Sequence, residues 1–385
     1  MYHTVLDTSD PSAESLQRQI AAVAKRAPNW IAMYGPEDAP FERILGELHR
    51  QGVSAPVFGA TSFAGVFTPS GFLRKTCLLV GEPIDGLKVA VTMQKAEAVH
   101  AKEGAARACQ DLVKQLGSTP RMLLMHATPG FEERILEGIG QVFGKKVPVF
   151  GGSAADDNML GNQRIVSHLG VLPLGFVLVG ICSAHDVKGA FMGGFLPAEH
   201  SGTVTRVDRR VVYEIDRRPA AEIYNEWTGG AIAEQLRLGG LVVLNTNLCP
   251  LARTVGAAHG MDRRILSHPQ AVILPSKALS FFSEFAVSDQ VTLMASTPDP
   301  LISRVRRTVE RARCLPARQP QGGILVYCAG SLSTMRDKAD RICREFSDAV
   351  GGAPFVGIAT AGEQGAFFAN AESWHGNLMC STVLF

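Results

Sequence analysis

Met122-Leu-Leu-Met-His126, then Thr128-Pro-Gly130, a helical stretch from Phe131, and Val147-Pro-Val-Phe-Gly-Gly-Ser153 form the stretch from which the fold can be read. A short apolar run, a turn, an amphipathic stretch and a second apolar run closed by glycine spell strand, turn, helix, strand. The layout occurs twice more. Upstream it reads Trp30-Ile-Ala-Met-Tyr34, Gly35-Pro36, a helical stretch from Phe41, and Ala55-Pro-Val-Phe-Gly-Ala-Thr-Ser62. Downstream it reads Gly323-Ile-Leu-Val-Tyr-Cys328, Gly330-Ser331, a helical stretch from Met335, and Ala353-Pro-Phe-Val-Gly-Ile-Ala-Thr360. Phe41-Glu-Arg-Ile-Leu45 and Phe131-Glu-Glu-Arg-Ile-Leu136 even share letters. In the third copy Ala339, Ile342, Cys343, Phe346 and Val350 mark one helix face, and Gly351-Gly352 supplies the stop. Self-similarity of this kind marks a repeated supersecondary unit.

Short apolar strands joined by a helix pack as βαβ units, with helices covering a sheet. Further strands follow each unit at hairpin spacing: Cys77–Val80 with Leu87–Val91, and Gly175–Ile181 with Gly189–Phe195. The expected fold is therefore mixed α/β (α+β): repeated β-α-β-hairpin units forming mixed sheets covered by helices, in two related halves. The expected segments are an N-terminal helical piece over 1–29, one domain over 30–213 and a second over 214–385. Helices are expected at 12–26, 97–116 and 301–313. The basic stretch of the last reads as a solvated helix with Val305, Val309 and Ala312 as its apolar seam.

Composition bounds the function. The chain has 385 residues, 46% hydrophobic and 19% charged, which excludes a largely disordered polypeptide. With 38 basic and 36 acidic side chains, it carries no electrostatic footprint for nucleic acid. No basic n-region with an apolar core opens the sequence, and no apolar run of membrane-spanning length occurs. A cytoplasmic protein is expected. The 8 cysteines form no CxxC, which fits free thiols rather than a disulfide framework.

In βαβ sheets, ligands sit beyond the carboxyl ends of strands. Those positions are Tyr34, His126 and Cys328, with the turns at Gly59, Gly151, Gly152 and Gly357. Ser62, Ser153, Asp156, Asp157, Thr360, Gly362 and Glu363 add polar groups to the same rim. Two readings stand for them: a ligand rim held by close backbone approach, or strand-to-turn punctuation with the aspartates capping a turn. Neither GxSxG, HExxH, a P-loop nor GxGxxG after a strand is present, so no enzyme class is indicated. Cys328 with His126 as nucleophile and base remains a third-ranked possibility, a cysteine-dependent hydrolase or transferase.

Four stretches together resemble the FIST family, a sensory and signal-transduction domain. They are Val147-Pro-Val-Phe-Gly-Gly-Ser-Ala-Ala-Asp-Asp157, Val211-Val-Tyr-Glu-Ile-Asp-Arg-Arg-Pro-Ala220 with the Tyr224/Trp227 helix, Ile324-Leu-Val-Tyr-Cys-Ala-Gly330, and Pro354-Phe-Val-Gly-Ile-Ala-Thr-Ala-Gly-Glu-Gln-Gly365. The resemblance covers the chain from about residue 30 onward. It implies a stand-alone ligand-binding sensor for an unidentified small molecule such as an amino acid. Its partner would be a signalling protein, such as a histidine kinase or a cyclic-di-GMP enzyme. In one branch of the family the ligand is haem b and the signal nitric oxide. His126 is then the candidate axial ligand and Cys328 the alternative, with His185 and His375 behind them. A ligand-free adaptor for protein contacts is the competing reading, and a homodimer is the base-rate expectation.

Overall fold

The computed structural model describes residues 1–8, 14–95, 100–183, 187–258, 261–313, 319–367 and 370–385. His185 lies outside them. Three of its sheets have six strands and one common plan. In each, the repeat's two parallel strands lie side by side: Trp30–Gly35 with Val57–Thr61, Met122–Ala127 with Val149–Gly152, and Gly323–Cys328 with Phe355–Thr360. A long antiparallel strand flanks the first of each pair (Thr76–Gly81, Gly175–Cys182 and Cys380–Leu384). An outer strand completes that side (Tyr2–Leu6, Lys88–Lys95 and Lys188–Met192).

The other edge of each sheet is filled by a hairpin from a different repeat. The first repeat's hairpin, Val66–Thr68 with Gly71–Leu73, joins the third repeat's sheet. The second repeat's, Ile165–Ser167 with Gly170–Leu172, joins the first. The third repeat's, Glu363–Ala366 with Ser373–Gly376, joins the second. The exchange closes a ring and leaves no repeat complete without its neighbours. It also hydrogen-bonds edges that would otherwise be exposed.

Helix pairs cover the outer faces. Glu14–Ala24 and Phe41–Arg50 pack on the first sheet, Ala101–Leu116 and Glu132–Phe143 on the second, Pro298–Arg313 and Ala339–Ala349 on the third. The inner faces meet in one shared core that draws Trp30, Tyr34, Leu124, Val177, Ile324 and Val326 from all three sheets. A nine-stranded sheet between Leu196 and Ala295 is inserted into the third repeat. The expected boundary at 213/214 falls inside its strand Val211–Ile215.

Three readings of the sequence are corrected. The strands at hairpin spacing are not hairpins: Thr76–Gly81 and Lys88–Lys95 lie in different sheets, as do Gly175–Cys182 and Lys188–Met192. The short links between them carry the chain from one repeat to the next. The N-terminal piece is not helical throughout, because Tyr2–Leu6 is a strand paired with Thr76–Gly81; its His3 and Thr4 obscure the apolar pattern. The basic helix is not wholly solvated either. Its seam is buried as expected, and Arg304 is buried with it at 0% exposure.

Candidate functional site

The exchanged hairpins give equivalent positions. Val66 and Phe67 face Ile358 and Gly357 in one sheet, and Ile165 and Val166 face Ala60 and Gly59 in another. In the remaining sheet the matching positions, opposite Gly152 and Gly151, hold Glu363 and Gln364. Across the hairpin, Phe67 pairs with Phe72 and Val166 with Val171, but Gln364 pairs with His375. Glu363, Gln364 and His375 are all buried. One repeat therefore places polar groups where the other two place core residues. Burying them costs free energy unless each finds partners. Alternation along the strand sends Glu363 and Gln364 to opposite sides, which separates two polar clusters.

The first cluster surrounds Glu132, at the start of helix Glu132–Phe143. Ser153 Oγ donates to its Oε1 at 2.7 Å, and Arg210 Nη2 donates to its Oε2 at 2.7 Å. The same Arg210 nitrogen donates to Glu133 Oε2 at 2.6 Å, while the Glu284 amide donates to Glu133 Oε1 at 2.8 Å. Gln364 Nε2 lies 3.2 Å from Ser153 Oγ and 3.1 Å from His375 Nδ1. His375 Nε2 stands 3.3 Å from the Phe282 carbonyl oxygen and 3.9 Å from Glu132 Oε1. Burial by itself would raise the Glu132 carboxyl. The positive charge that His375 can carry, the Arg210 guanidinium and the Ser153 hydrogen bond outweigh it and hold the group below the ordinary carboxylate range. Glu132, Glu133 and His375 are close enough to ligate one cation, but Arg210 already supplies the countercharge.

Glu133 and His375 open onto a cleft of about 680 Å³. The helix Glu132–Phe143 forms one wall, the inserted sheet supplies Arg253, Glu284, Phe285 and Asp289, and Trp374 lines the hairpin side. Arg253 is 12% exposed, with Asp289 Oδ2 3.9 Å from its Nη1 and its buried Nε without a partner. Burial lowers its pKa, only partly offset by Asp289, Glu133 and Glu284. A poorly compensated guanidinium in a cleft attracts an anionic group.

The second cluster is closed. Glu363 accepts from Thr360 Oγ1 at 2.7 Å and from the Met379 amide at 2.8 Å, and lies beside the Cys328 thiol. Burial pushes its carboxyl up to about 8 despite those hydrogen bonds. Arg304 Nη2 donates to Ser331 Oγ at 3.1 Å and its Nη1 to the Leu378 carbonyl, and the guanidinium sits 4.6 Å from the Tyr327 ring centroid. Cys328 is 3% exposed, and burial pushes its thiol up.

Of the residues singled out from sequence, Ser153 belongs to the first cluster, and Cys328, Thr360 and Glu363 to the second. Tyr34 and His126 meet in the shared core, with the Tyr34 hydroxyl 2.9 Å from His126 Nε2. His126 Nδ1 lies 2.9 Å from the Gly152 carbonyl oxygen. Asp156 accepts from the Met159, Gly161 and Asn162 amides and so closes its loop. Asp157 accepts from the Ala64 amide and from Arg74, joining the first two repeats. Ser62 Oγ accepts from the Ala359 amide at 2.8 Å, joining the first and third.

The glycines answer to packing. A Cβ on Gly59 would lie 1.8 Å from the Met33 carbonyl oxygen, and one on Gly151 1.9 Å from that of Met125. On Gly152 it would meet Thr360 and Val326, and on Gly362 it would meet His375. Sequence reasoning missed Glu132, Glu133, Arg210, Arg253, Arg304 and Gln364. The Glu363-Gln364 pair was readable once the hairpins are aligned as repeats; the others have no local signature.

The arrangement does not fit haem at His126 or Cys328. Both His126 nitrogens are engaged inside a packed core, and burial lowers its pKa to about 4. Neither residue lines the cleft at Arg253.

The FIST N domain model matches residues 29–218 and the FIST C domain model residues 220–366. The chain belongs to the FIST family, whose domains are recognised as sensory signal-transduction domains. No curated protein matches it. Among solved structures, a cyanuric acid hydrolase from A. caulinodans is similar at 8% identity over 99% of this chain and 98% of that one, with a TM-score of 0.38. A likeness that distant carries no argument about activity. Among the described residues, no helix is long and apolar enough to cross a membrane.

Proposed function

We propose that this protein is a ligand-binding sensor that takes a small molecule in the cleft at Arg253 and signals through a partner protein, such as a histidine kinase or a cyclic-di-GMP enzyme. Arg253 carries the reading: it is a largely buried guanidinium, weakly compensated, lining a cleft of about 680 Å³. That volume lies in the range of small-molecule sites. A zwitterion such as an amino acid suits the lining. Its carboxylate would pair with Arg253, its ammonium with Glu133 or Glu284, and its side chain would rest on Trp374 and Phe285.

The walls belong to different parts of the chain, the inserted sheet and the second repeat's helix. A ligand touching both would favour one seating of the insert, and the Arg210 pairs with Glu132 and Glu133 would bias the same contact. We read a binding protein rather than an enzyme, since a buried thiol with a raised pKa is the opposite of an activated nucleophile.

Native mass spectrometry with a visible spectrum, on protein purified without added cofactor, tests this. A retained small mass that Arg253→Ala abolishes is the expected result. A Soret band with the matching mass would install the haem reading instead. A bare mass, together with no saturable heat from a panel of amino acids, would overturn the proposal. The adaptor reading has its own support in Leu238, Leu241 and Leu244, exposed at 62%, 58% and 79% on one edge of the insert.

A further inference from the structure

Glu132, Glu133 and His375 come from two elements, the start of the helix Glu132–Phe143 and the edge strand Ser373–Gly376. An oxygen from each carboxylate and a nitrogen of the imidazole lie within 4.8 Å of one another. Glu132 and His375 are buried, while Glu133 and His375 line the cleft, which gives an ion a way in. Arg210 serves both carboxylates with a single charge. One negative charge is left there for a cation to meet.

Gln364 decides what these groups offer. Its Nε2 donates to Ser153 Oγ at 3.2 Å and to His375 Nδ1 at 3.1 Å. The ring proton is then on Nε2, 3.3 Å from the Phe282 carbonyl oxygen, and Ser153 donates to Glu132 Oε1. The Gln364 side-chain oxygen is buried without a partner. Turning the amide over reverses the set. The oxygen then accepts from His375 Nδ1–H and from the Ser153 hydroxyl. His375 Nε2 and Glu132 Oε1, 3.9 Å apart, are both released. Either way round, one end of the amide is partnered and the other bare, so the amide itself loses no hydrogen bond by turning.

We propose that Glu132, Glu133 and His375 bind a divalent transition-metal ion, zinc being the best match, with Gln364 as the residue that orients the imidazole. Nitrogen and carboxylate oxygen are both zinc ligands, and bonds of about 2.0–2.2 Å would draw the three groups in by roughly an ångström. The Phe282 carbonyl oxygen beside His375 Nε2 adds a further donor. Arg210 keeps its contacts to the outer oxygens of both carboxylates. A ligating histidine holds its other N–H on an oxygen acceptor, which is the part the turned Gln364 takes. The site stands whether or not a ligand occupies the cleft at Arg253.

Calorimetric titration of the tag-free full chain with zinc, after stripping with a chelator, tests the assignment. One equivalent is expected to bind saturably. Zinc-edge X-ray absorption of that complex should show nitrogen and oxygen neighbours, one imidazole among them, and no sulfur. His375→Ala should abolish the binding, and Gln364→Leu should weaken it about ten- to a hundredfold. His200→Ala, at an exposed histidine of the insert, should leave it unchanged. No saturable zinc, a sulfur neighbour, or undiminished affinity in a folded His375→Ala protein would overturn the assignment. The absorption spectrum uses the native chain, so it stands even where a variant fails to fold.

Discussion

Gln364 and His375 face each other across the third repeat's hairpin, with Gln364 Nε2 3.1 Å from His375 Nδ1, at the register where the other two hairpins pair phenylalanines and valines. A threefold-repeated scaffold has thus been broken at one corner. There the second repeat's sheet, the inserted sheet and the cleft at Arg253 meet. Sites grafted on a repeated frame show themselves as departures from its pattern.

Arg210 is the counter-ion for two buried carboxylates. Arg210→Met leaves Glu132 and Glu133 facing each other without it, and breaking a buried pair costs about 3 kcal/mol or more. Urea unfolding at neutral pH should show that loss, whereas Arg218→Ala, which removes an exposed pair with Glu226, should not move the midpoint.

The pH profile of stability follows from three buried groups. Burial holds the Glu363 carboxyl at about 8 against 4.5 for an exposed one, so the folded chain keeps a proton that the unfolded chain releases. Its contribution to stability is present at low pH and falls as pH rises towards 8. Burial lowers His126 and His268 to about 4 from 6.5, so the unfolded chain takes up protons there first and stability falls as pH drops through that window. Stability should peak near pH 6.5. Glu363→Gln should flatten the alkaline limb by about 2 kcal/mol between roughly pH 6.5 and 8. Equal limbs in both proteins, by urea titration, would remove Glu363 from the explanation.

Tyr34 and His126 tie two repeats together through the core. Tyr34→Phe keeps the ring packing and leaves His126 Nε2 buried without its partner, which costs about 1–3 kcal/mol. The same unfolding assay reads it.

Glycines separate into two kinds. Gly59→Ala and Gly151→Ala place a methyl against a neighbouring strand's carbonyl oxygen, so neither chain is expected to accumulate as folded protein. Gly46→Ala and Gly140→Ala, in helices with open space around the new methyl, should stabilise by about 1 kcal/mol. Soluble yield reads the first two, and thermal melts against the native chain read Gly46→Ala and Gly140→Ala.

What the sequence determined by itself was local. The triplicated strand, turn, helix and strand, the helix faces and the glycine stops could all be read, because apolar periodicity and turn chemistry act over a few residues. The departure at Glu363-Gln364 was readable in principle, once the hairpins are set side by side. The tertiary structure alone decided which sheet each hairpin completes, since hydrogen-bonded edges are chosen by geometry between distant segments. It also decided that Tyr34 meets His126 and that Arg210 reaches across 78 residues to Glu132. Arg253 became a candidate ligand contact for the same reason. Its residue type is common, and only burial beside Glu133, Asp289 and an open cleft leaves its charge in want of an anion.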